Sequence, residues 1–240
     1  MQEAEWLNLS RNSFREKWYY QEYSQSSYSG LAGYAHSHIH KSLEAGYSNN
    51  SHFSRTLELG SNIGEHLDFV KHTFDEYLAS DIDNRLEPSH VEKLLNRGAR
   101  FEIQNATNLT YIDDSFDRVL HLCLLPHVQD PEEVLLEVRR VLKPGGTADI
   151  YIGSDPGWLF RFGRRFGPTR QANKKGIGKV KTLMDAREHP IHSRAIIRLL
   201  EQVFRNDEIR RKSYPLPFVP HDFTLWTHFR ITKSSSKLSV

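Results

Sequence analysis

Two glycines and two acids near the first predicted strand have the spacing of a nucleoside-binding site. The stretch Thr56–Gly64 reads T-L-E-L-G-S-N-I-G, so Glu58 precedes Gly60 and Gly64, and Asp81 follows 17 residues after Gly64. Glycine allows positive φ and leaves no Cβ between the backbone and a ligand. A carboxylate at the end of a second strand can accept the hydrogens of both ribose hydroxyls. These residues predict the binding of a nucleoside-type cofactor.

The residue between the two glycines favours one cofactor over another. A dinucleotide site has the pattern G-x-G-x-x-G, and here Asn62 replaces the middle glycine. Bulk at this position disfavours the close approach of a pyrophosphate, whereas Glu58 suits a ligand that carries an ammonium group. The pattern therefore favours S-adenosylmethionine, and an NAD-dependent oxidoreductase is the least favoured of the enzyme hypotheses.

An alternating β/α core is predicted to position these residues. An apolar strand that ends in Glu-x-Gly-x-x-x-Gly, a helix, and a second strand that ends in an acid form half of a doubly wound sheet. Residues 103–131 include a fourth strand, F-D-R-V-L-H-L, and residues 132–152 predict a helix, a Pro-Gly-Gly turn and a fifth strand. A helical stripe in Ser193–Phe204 and strand-like clusters at 208–214 and 225–232 complete the pattern.

With these motifs in this order, residues 56–152 resemble the class I S-adenosylmethionine-dependent methyltransferases, particularly the small-molecule subgroup. The resemblance implies a doubly wound, Rossmann-like α/β fold. We expect a mostly parallel seven-stranded sheet with helices on both faces, an antiparallel edge strand and a helical amino-terminal lid. The expected organisation is a lid region (1–50), a methyltransferase domain (51–233) with a basic insertion at about 155–192, and a disordered tail (234–240).

The resemblance also implies the cofactor contacts. Asn105 stands where an aspartate often meets the adenine amino group, and its side-chain carbonyl can accept the same hydrogen bond. An amino-terminal tyrosine often lies near the methionine carboxylate, which selects Tyr23 and Tyr28; packing onto the sheet is the alternative for each. The predicted cofactor-binding residues are Glu58, Gly60, Asn62, Gly64, Asp81, Ile82, Asn105, Ala106, His121, Tyr23 and Tyr28.

The chain has 13 histidines, and they supply the candidate bases. His121 ends the fourth strand, a position that the resemblance puts beside the reactive methyl group, and His127 begins the next segment. Either could deprotonate an acceptor, since histidine has an unperturbed pKa of about 6.5. His127 could equally hold a loop through a backbone hydrogen bond. The histidines predicted to contact the acceptor are His36, His40, His189, His192 and His221.

The run A-H-S-H-I-H raises a metal alternative. On a helix, His36 and His40 share a face at i,i+4, a spacing that can bind zinc. No H-E-x-x-H motif or cysteine ligand accompanies them, and the resembled family needs no metal for its cofactor. We therefore predict no metal and treat both residues as packed, solvated or acceptor-facing.

Composition agrees with one globular enzyme domain, with 240 residues, 38% of them hydrophobic and 26% charged. No apolar run approaches the roughly 20 residues that span a bilayer, and the amino terminus lacks a secretion signal. The single cysteine, Cys123, lies in an apolar run and is most simply a buried thiol. We expect a cytoplasmic protein without membrane contact, and a homodimer is left open.

Positive charge is concentrated in one segment, although the net charge of +2 is too small to indicate nucleic acid as a partner, and no interleaved aromatic residues of a known nucleic-acid motif accompany the basic residues. No acid lies between Asp155 and Asp185. One interpretation is a solvated, mobile loop or lid; the other is attraction of an anionic acceptor such as a phosphate-bearing sugar or a carrier-linked acid. The basic residues are Arg161, Arg164, Arg165, Arg170, Lys174, Lys175, Lys179 and Lys181.

The primary hypothesis is methyl transfer from S-adenosylmethionine to oxygen of a sugar or secondary metabolite by in-line displacement. The second is methylation of an amine or a macromolecule, although L-C-L-L after the fourth strand does not match the N-P-P-Y-like tetrapeptide of amide and base methylation. The third is a binding protein that kept the fold and lost catalysis, for which Asn62 is the only hint.

Overall fold

A seven-stranded sheet forms the centre of the computed structural model, which describes Trp6, Ser13 and residues 30–84, 86–166, 168–217 and 219–235. The strands are β1 (His52–Leu59), β2 (Thr73–Asp81), β3 (Ala99–Ile103), β4 (Phe116–His121), β5 (Leu142–Gly153), β6 (Glu208–Tyr214) and β7 (Trp226–Thr232). Within these residues their order is β3-β2-β1-β4-β5-β7-β6. The predicted doubly wound, mostly parallel sheet is confirmed. Its antiparallel strand is β7, which pairs with β5 and with the edge strand β6.

Helices cover both faces of the sheet, as predicted. The helices are α1 (Gly30–Leu43), α2 (Pro88–Asn96), α3 (Pro131–Val141), α4 (Trp158–Phe166), α5 (Pro168–Lys174), α6 (Gly178–Glu188) and α7 (Ser193–Val203). Side chains alternate between the faces along β2: Leu78 belongs to the core under α3 and α7, whereas Tyr77 and Ala79 pack with Leu94 of α2. On that second face Leu43 of α1 packs with Leu120 of β4. The sheet is therefore buried on both sides.

The helix α3 leads directly into β5, whose first residues include the Pro144-Gly145-Gly146 sequence predicted as a turn. Asp130 caps α3 by accepting a hydrogen bond from the backbone N–H of Glu133 at 3.2 Å, and Pro131 occupies the first turn. Gly145 has φ 78°, and a Cβ on Gly146 would lie 2.8 Å from the carbonyl oxygen of Lys143. Only glycine fits these two positions, which explains the Pro-Gly-Gly sequence.

The helix expected between β1 and β2 is absent from the described chain, and that prediction is wrong. A single 3-10 turn, Glu65–Asp68, takes its place. After the glycine turn only residues 65–72 remain before β2, which is too few for a helix and a return to the sheet. Instead α1 packs onto the turn, since the His40 ring stacks on Phe69 with ring centroids 4.7 Å apart.

The basic segment is helical in the described residues, so its interpretation as a loop is wrong, while a solvated, mobile lid stays a prediction. Helices α4, α5 and α6 occupy most of residues 158–188. A small apolar cluster of Ala172, Ile177, Val180 and Met184 holds α5 and α6 together and includes Trp6 from the amino terminus. Trp6 thus packs into the apolar core of the basic segment.

The remaining predictions concern the carboxyl-terminal elements, the amino-terminal tyrosines, the tail and membrane spans. The predicted helix at 193–204 and the strands at 208–214 and 225–232 match α7, β6 and β7. Tyr23 and Tyr28 and the tail residues 236–240 lie outside the described residues. Across the part of the chain that the structure describes, no helix has the length and apolar character needed to cross a membrane.

Candidate functional site

Asp81 ends β2 with its carboxylate fixed by two backbone donors. The N–H of Asn62 donates to Oδ2 at 3.0 Å, and the N–H of Ile82 donates to Oδ1 at 2.8 Å. Each carboxylate oxygen can accept a second hydrogen bond. The side chain is half-buried at the carboxyl edge of the sheet, where open α/β sheets bind ligands. Asp81 is therefore oriented to receive a pair of neighbouring hydroxyls.

The turn after β1 takes the left-handed conformation at three positions. Gly60 has φ 68°, Asn62 φ 51° and Gly64 φ 76°, and a Cβ on Gly64 would lie only 2.7 Å from Leu94 Cδ2. Asparagine enters this region more readily than most other residues with a side chain. Asn62 therefore keeps the backbone shape that a glycine would have, and its presence changes the bulk of the turn rather than its path.

Exposed apolar side chains flank Asp81. Ile82 is 56% exposed, and Ile103, which pairs with Asp81 across β2 and β3, is 63% exposed. Ala106, the neighbouring predicted contact, is half-buried and packs against the main core. Two isoleucines beside an oriented carboxylate offer a surface for a flat ring. Ile103 was missed in the sequence, where a strand-end isoleucine is indistinguishable from a core residue.

Asn105 is engaged in a local turn, which corrects its predicted contact with adenine. Its Oδ1 accepts hydrogen bonds from the backbone N–H of Thr107 at 3.1 Å and from Thr107 Oγ1 at 2.9 Å. A carbonyl oxygen has two lone pairs, and both are used. The carbonyl is not available to a ligand in this arrangement.

Glu58 lies inside the protein rather than at the edge of the sheet. It is 2% exposed and accepts a hydrogen bond from the Tyr77 hydroxyl at 2.7 Å. Burial raises the pKa of Glu58. The buried carboxylate is hydrogen-bonded within the protein, a position that does not favour its predicted contact with a ligand ammonium group.

His121 is fully buried at the end of β4, between Leu59 and Ile150 of the neighbouring strands. Neither ring nitrogen has a hydrogen-bond partner among the described residues. Burial lowers the pKa of His121 to about 3, so the ring is uncharged at neutral pH. A side chain closed off from solvent cannot take a proton from an acceptor, and the predicted catalytic role of His121 is not supported.

Two other predicted histidines come together. His127 ends the 3-10 turn Leu125–His127 after β4, and His189 follows α6; their ring centroids are 4.7 Å apart. His192 is exposed at the start of α7. The structure thus brings His127 and His189 together on segments that follow β4 and β5.

His221 cross-links the fold, unlike the acceptor contact predicted for it. Its Nε2 lies 2.9 Å from Ser193 Oγ, and its Nδ1 lies 3.1 Å from Thr227 Oγ1. Burial lowers the pKa of His221. Both ring nitrogens are occupied by contacts that tie α7 to β7, so the side chain is not directed at an acceptor.

His36, His40 and His66 form a row of histidines whose rings contact one another. His36 and His40 do not lie with His189, as a shared acceptor site would require. The Nε2 atoms of His36 and His40 are 3.2 Å apart, and the Nδ1 atoms of His40 and His66 are 2.9 Å apart. Burial lowers the pKa of His40 to about 2, with the neighbouring His66 and His36 acting in the same direction. The buried His40 cannot contact an acceptor. His66 and Glu44 lie at the buried end of this row of side chains, and the sequence analysis did not identify them as part of it.

Comparisons with known proteins agree with this fold. A family model described as a methyltransferase domain matches residues 57–149. Methyltransferase GfsG from Streptomyces halstedii is 42% identical over 55 residues, which cover 22% of this chain and 20% of that protein. A demethylmenaquinone methyltransferase from Lactobacillus johnsonii is 29% identical over 101 residues, 42% of this chain and 40% of the other. The chain thus matches between a fifth and two fifths of the length of these curated relatives.

Solved structures share the whole fold at low identity. An S-adenosylmethionine-dependent methyltransferase from Thermotoga maritima superposes with a TM-score of 0.55 at 16% identity, covering 93% of this chain and 95% of that one. The N-methyltransferase NodS from Bradyrhizobium japonicum gives 0.53 at 13% identity, covering 83% and 96%. Residues 57–149 thus match a methyltransferase-domain family, and the sheet order and the glycine turn beside Asp81 are consistent with a class I S-adenosylmethionine-dependent methyltransferase.

Proposed function

We propose that this protein transfers a methyl group from S-adenosylmethionine to a small molecule, at an oxygen of a sugar or secondary metabolite. The observation that carries the proposal is the Asp81 carboxylate, held by the backbone of Asn62 and Ile82 directly beside the glycine turn. The family implies the donor, and the described residues fit it. When bound, the donor supplies an electrophilic methyl group, so the protein's task is to hold and align two molecules.

Three groups of residues at the carboxyl edge of the sheet have separate roles in binding the proposed donor. Asp81 accepts hydrogen bonds from the two ribose hydroxyls. Ile82 and Ile103 cover one face of the adenine, because both present exposed apolar surface beside Asp81. The backbone of residues 60–64 passes close to the rest of the donor, since the left-handed turn removes side-chain bulk there.

The acceptor is proposed to bind near His127 and His189. They lie on segments after β4 and β5, and ligands in this kind of sheet bind outside the carboxyl ends of the strands. An oxygen acceptor must lose a proton, and His127 is the proposed base now that His121 is closed off. Exposed Arg161, Arg165 and Arg170 on α4 and α5 suit an anionic group on the acceptor.

Carbon methylation of a quinone-type ring is a second candidate. The relative from Lactobacillus johnsonii is a demethylmenaquinone methyltransferase, and a C-methyltransferase of ubiquinone and menaquinone biosynthesis from Desulfotalea psychrophila is 27% identical over 94 residues, 38% of each chain. An activated ring carbon also needs a base near the acceptor. An amine acceptor depends less on such a base.

A transfer assay tests the proposal and separates these acceptors. The protein is incubated with methyl-labelled S-adenosylmethionine and three panels: sugar nucleotides and hydroxylated metabolites, demethylated quinones, and primary amines. We expect label in the first panel, with one molecule of S-adenosylhomocysteine released per methyl transferred. Label only in the quinone or amine panel would overturn the oxygen assignment. Donor binding without transfer in any panel would favour the non-catalytic alternative.

Chemical labelling of Cys123 provides a second, independent measurement of donor binding. The residue Cys123 is exposed, since β4 ends at His121 and Cys123 lies beyond it with φ 54°, but burial of its thiol raises the pKa of Cys123 to about 12, in agreement with the expected buried thiol. The next residue, Leu124, lies against Gly60, where an added Cβ would be 3.2 Å from Leu124 Cδ1. As the chain has one cysteine, maleimide labelling reports on this position alone, and alkaline buffer is used because the raised pKa of Cys123 leaves little reactive thiolate at neutral pH. Saturating S-adenosylhomocysteine should slow the labelling several-fold, and NAD should leave it unchanged; equal rates with and without S-adenosylhomocysteine would contradict the proposed location.

A further inference from the structure

Three side chains with metal-binding atoms converge beside the glycine turn. His36 and His40 lie one turn apart on α1, and Glu65 follows Gly64 directly. One ligand atom from each of the three lies within 4.8 Å of the others. The Nε2 atoms of the two histidines are 3.2 Å apart, and His36 Nε2 is 4.0 Å from Glu65 Oε2. Two elements that are distant in sequence meet through these atoms.

The spacing agrees with a tetrahedral ion. Ligand atoms that bind zinc at about 2.0–2.1 Å with tetrahedral angles lie about 3.3 Å from each other. The histidine pair already has this separation. The carboxylate of Glu65 lies 4.0 Å from His36 and within 4.8 Å of both histidines, so it needs to move by up to about 1.5 Å, which a rotation of its side chain provides. Two imidazoles and one carboxylate suit Zn²⁺ better than Mg²⁺ or Ca²⁺, which prefer oxygen ligands.

Residues behind the cluster orient its most buried member. Glu44 is fully buried and lies 3.0 Å from Nε2 of His66, so a neutral His66 donates from Nε2 and accepts at Nδ1. His40 then donates from Nδ1 to His66 across 2.9 Å, which leaves the lone pair of His40 Nε2 directed towards His36. Metal-binding histidines commonly donate their second N–H to a neighbouring group in this way.

We propose that His36, His40 and Glu65 bind one zinc-like divalent cation that fastens α1 to the turn after β1. The ion neutralises the carboxylate of Glu65, which is only 19% exposed, and leaves a fourth position for water. This proposal differs from the expectation of no metal drawn from the sequence. Its ligands include neither Asp81 nor His127, although Asn62 Nδ2 in the glycine turn lies 3.4 Å from Glu65 Oε1, so the site borders the proposed donor site.

Zinc titration of the full chain, stripped with a chelator, tests the site. We expect one Zn²⁺ per chain, measured by competition with a chromophoric chelator, and a higher melting temperature in its presence, because an ion that binds only the native state stabilises it. His36→Gln should weaken binding at least about 100-fold and Glu65→Gln about 10-fold or more. Both variants should lose the zinc-dependent rise in melting temperature.

Two matched variants serve as controls. Asp68→Asn removes an acid from the same 3-10 turn, and His52→Gln removes a half-exposed histidine from the start of β1; both should bind Zn²⁺ as the wild type does. Circular dichroism checks that each variant is folded. Wild-type protein that takes up no Zn²⁺ would overturn the proposal and leave the histidines as a hydrogen-bonded chain. Zinc binding that is equal in the wild type and in folded His36→Gln and Glu65→Gln would overturn it as well.

Discussion

Replacing Arg118 with alanine should lower the free energy of unfolding by about 3–5 kcal/mol. Arg118 lies in the middle of β4 and is fully buried. Its Nε donates to Asp149 Oδ2 at 2.8 Å and its Nη1 to Glu44 Oε1 at 2.6 Å, and both acids are also fully buried. Without the guanidinium, two carboxylates remain inside the protein with less compensation.

The pKa values of the two buried acids show how strongly this network stabilises their ionised forms. Burial alone would raise the pKa of Glu44, but the hydrogen bond with His66 and the charge of Arg118 hold it at about 2. Burial likewise opposes ionisation of Asp149, yet Arg118, His228 and Arg230 keep its pKa well below the usual range. Asp149 also accepts a hydrogen bond from the Tyr47 hydroxyl at 2.9 Å. The network therefore joins the segment after α1 to β4, β5 and β7.

Urea denaturation at neutral pH measures this effect. Arg210→Ala is the matched control, because Arg210 donates to Glu208 at 2.8 Å while both side chains are mostly exposed, and it should cost less than about 1 kcal/mol. A loss for Arg118→Ala no larger than that of the control would contradict the stabilising role of the buried network.

Asp81→Ala should weaken the binding of S-adenosylhomocysteine about 10- to 100-fold. A hydrogen bond to a charged group contributes about 1.5–3 kcal/mol, and the carboxylate is proposed to accept the ribose hydroxyls. Removing it also frees the N–H groups of Asn62 and Ile82, so the turn loses its anchor to β2. Both effects weaken binding of the nucleoside half.

Calorimetry of the variant with S-adenosylhomocysteine measures this loss. Asp75→Ala is the matched control, since Asp75 lies near the amino end of the same strand and its side chain is 69% exposed. The control should bind as the wild type does. Equal affinity in folded Asp81→Ala and in the control would remove Asp81 from the site.

The sequence predicted the carboxyl edge of the sheet well because steric rules act locally there. Gly60 and Gly64 stand at left-handed positions that few other residues tolerate, and Asp81 ends a strand as expected. Asn62 illustrates the limit: its type suggested a departure from the usual site, whereas its φ of 51° keeps the same backbone shape. Residue identity indicates bulk, and only the structure gives the conformation.

Contacts between distant segments could not be predicted. Nothing in the sequence marks Arg118 and Asp149 as partners, because their contact with each other and with Glu44 depends on how α1 packs on the sheet. His121 was chosen for its place at a strand end, but alternation turns its side chain into the core. The helices of the basic segment had a readable signal, since Ile177, Val180 and Met184 have helical spacing that the run of charges concealed.

Isothermal titration calorimetry of the wild-type protein with S-adenosylhomocysteine, and in a separate titration with NAD, tests the central claim most directly. The oriented Asp81 carboxylate beside the glycine turn predicts saturable binding of one S-adenosylhomocysteine per chain and no measurable binding of NAD. Absence of binding by S-adenosylhomocysteine, or tighter binding of NAD, would contradict the proposed donor site.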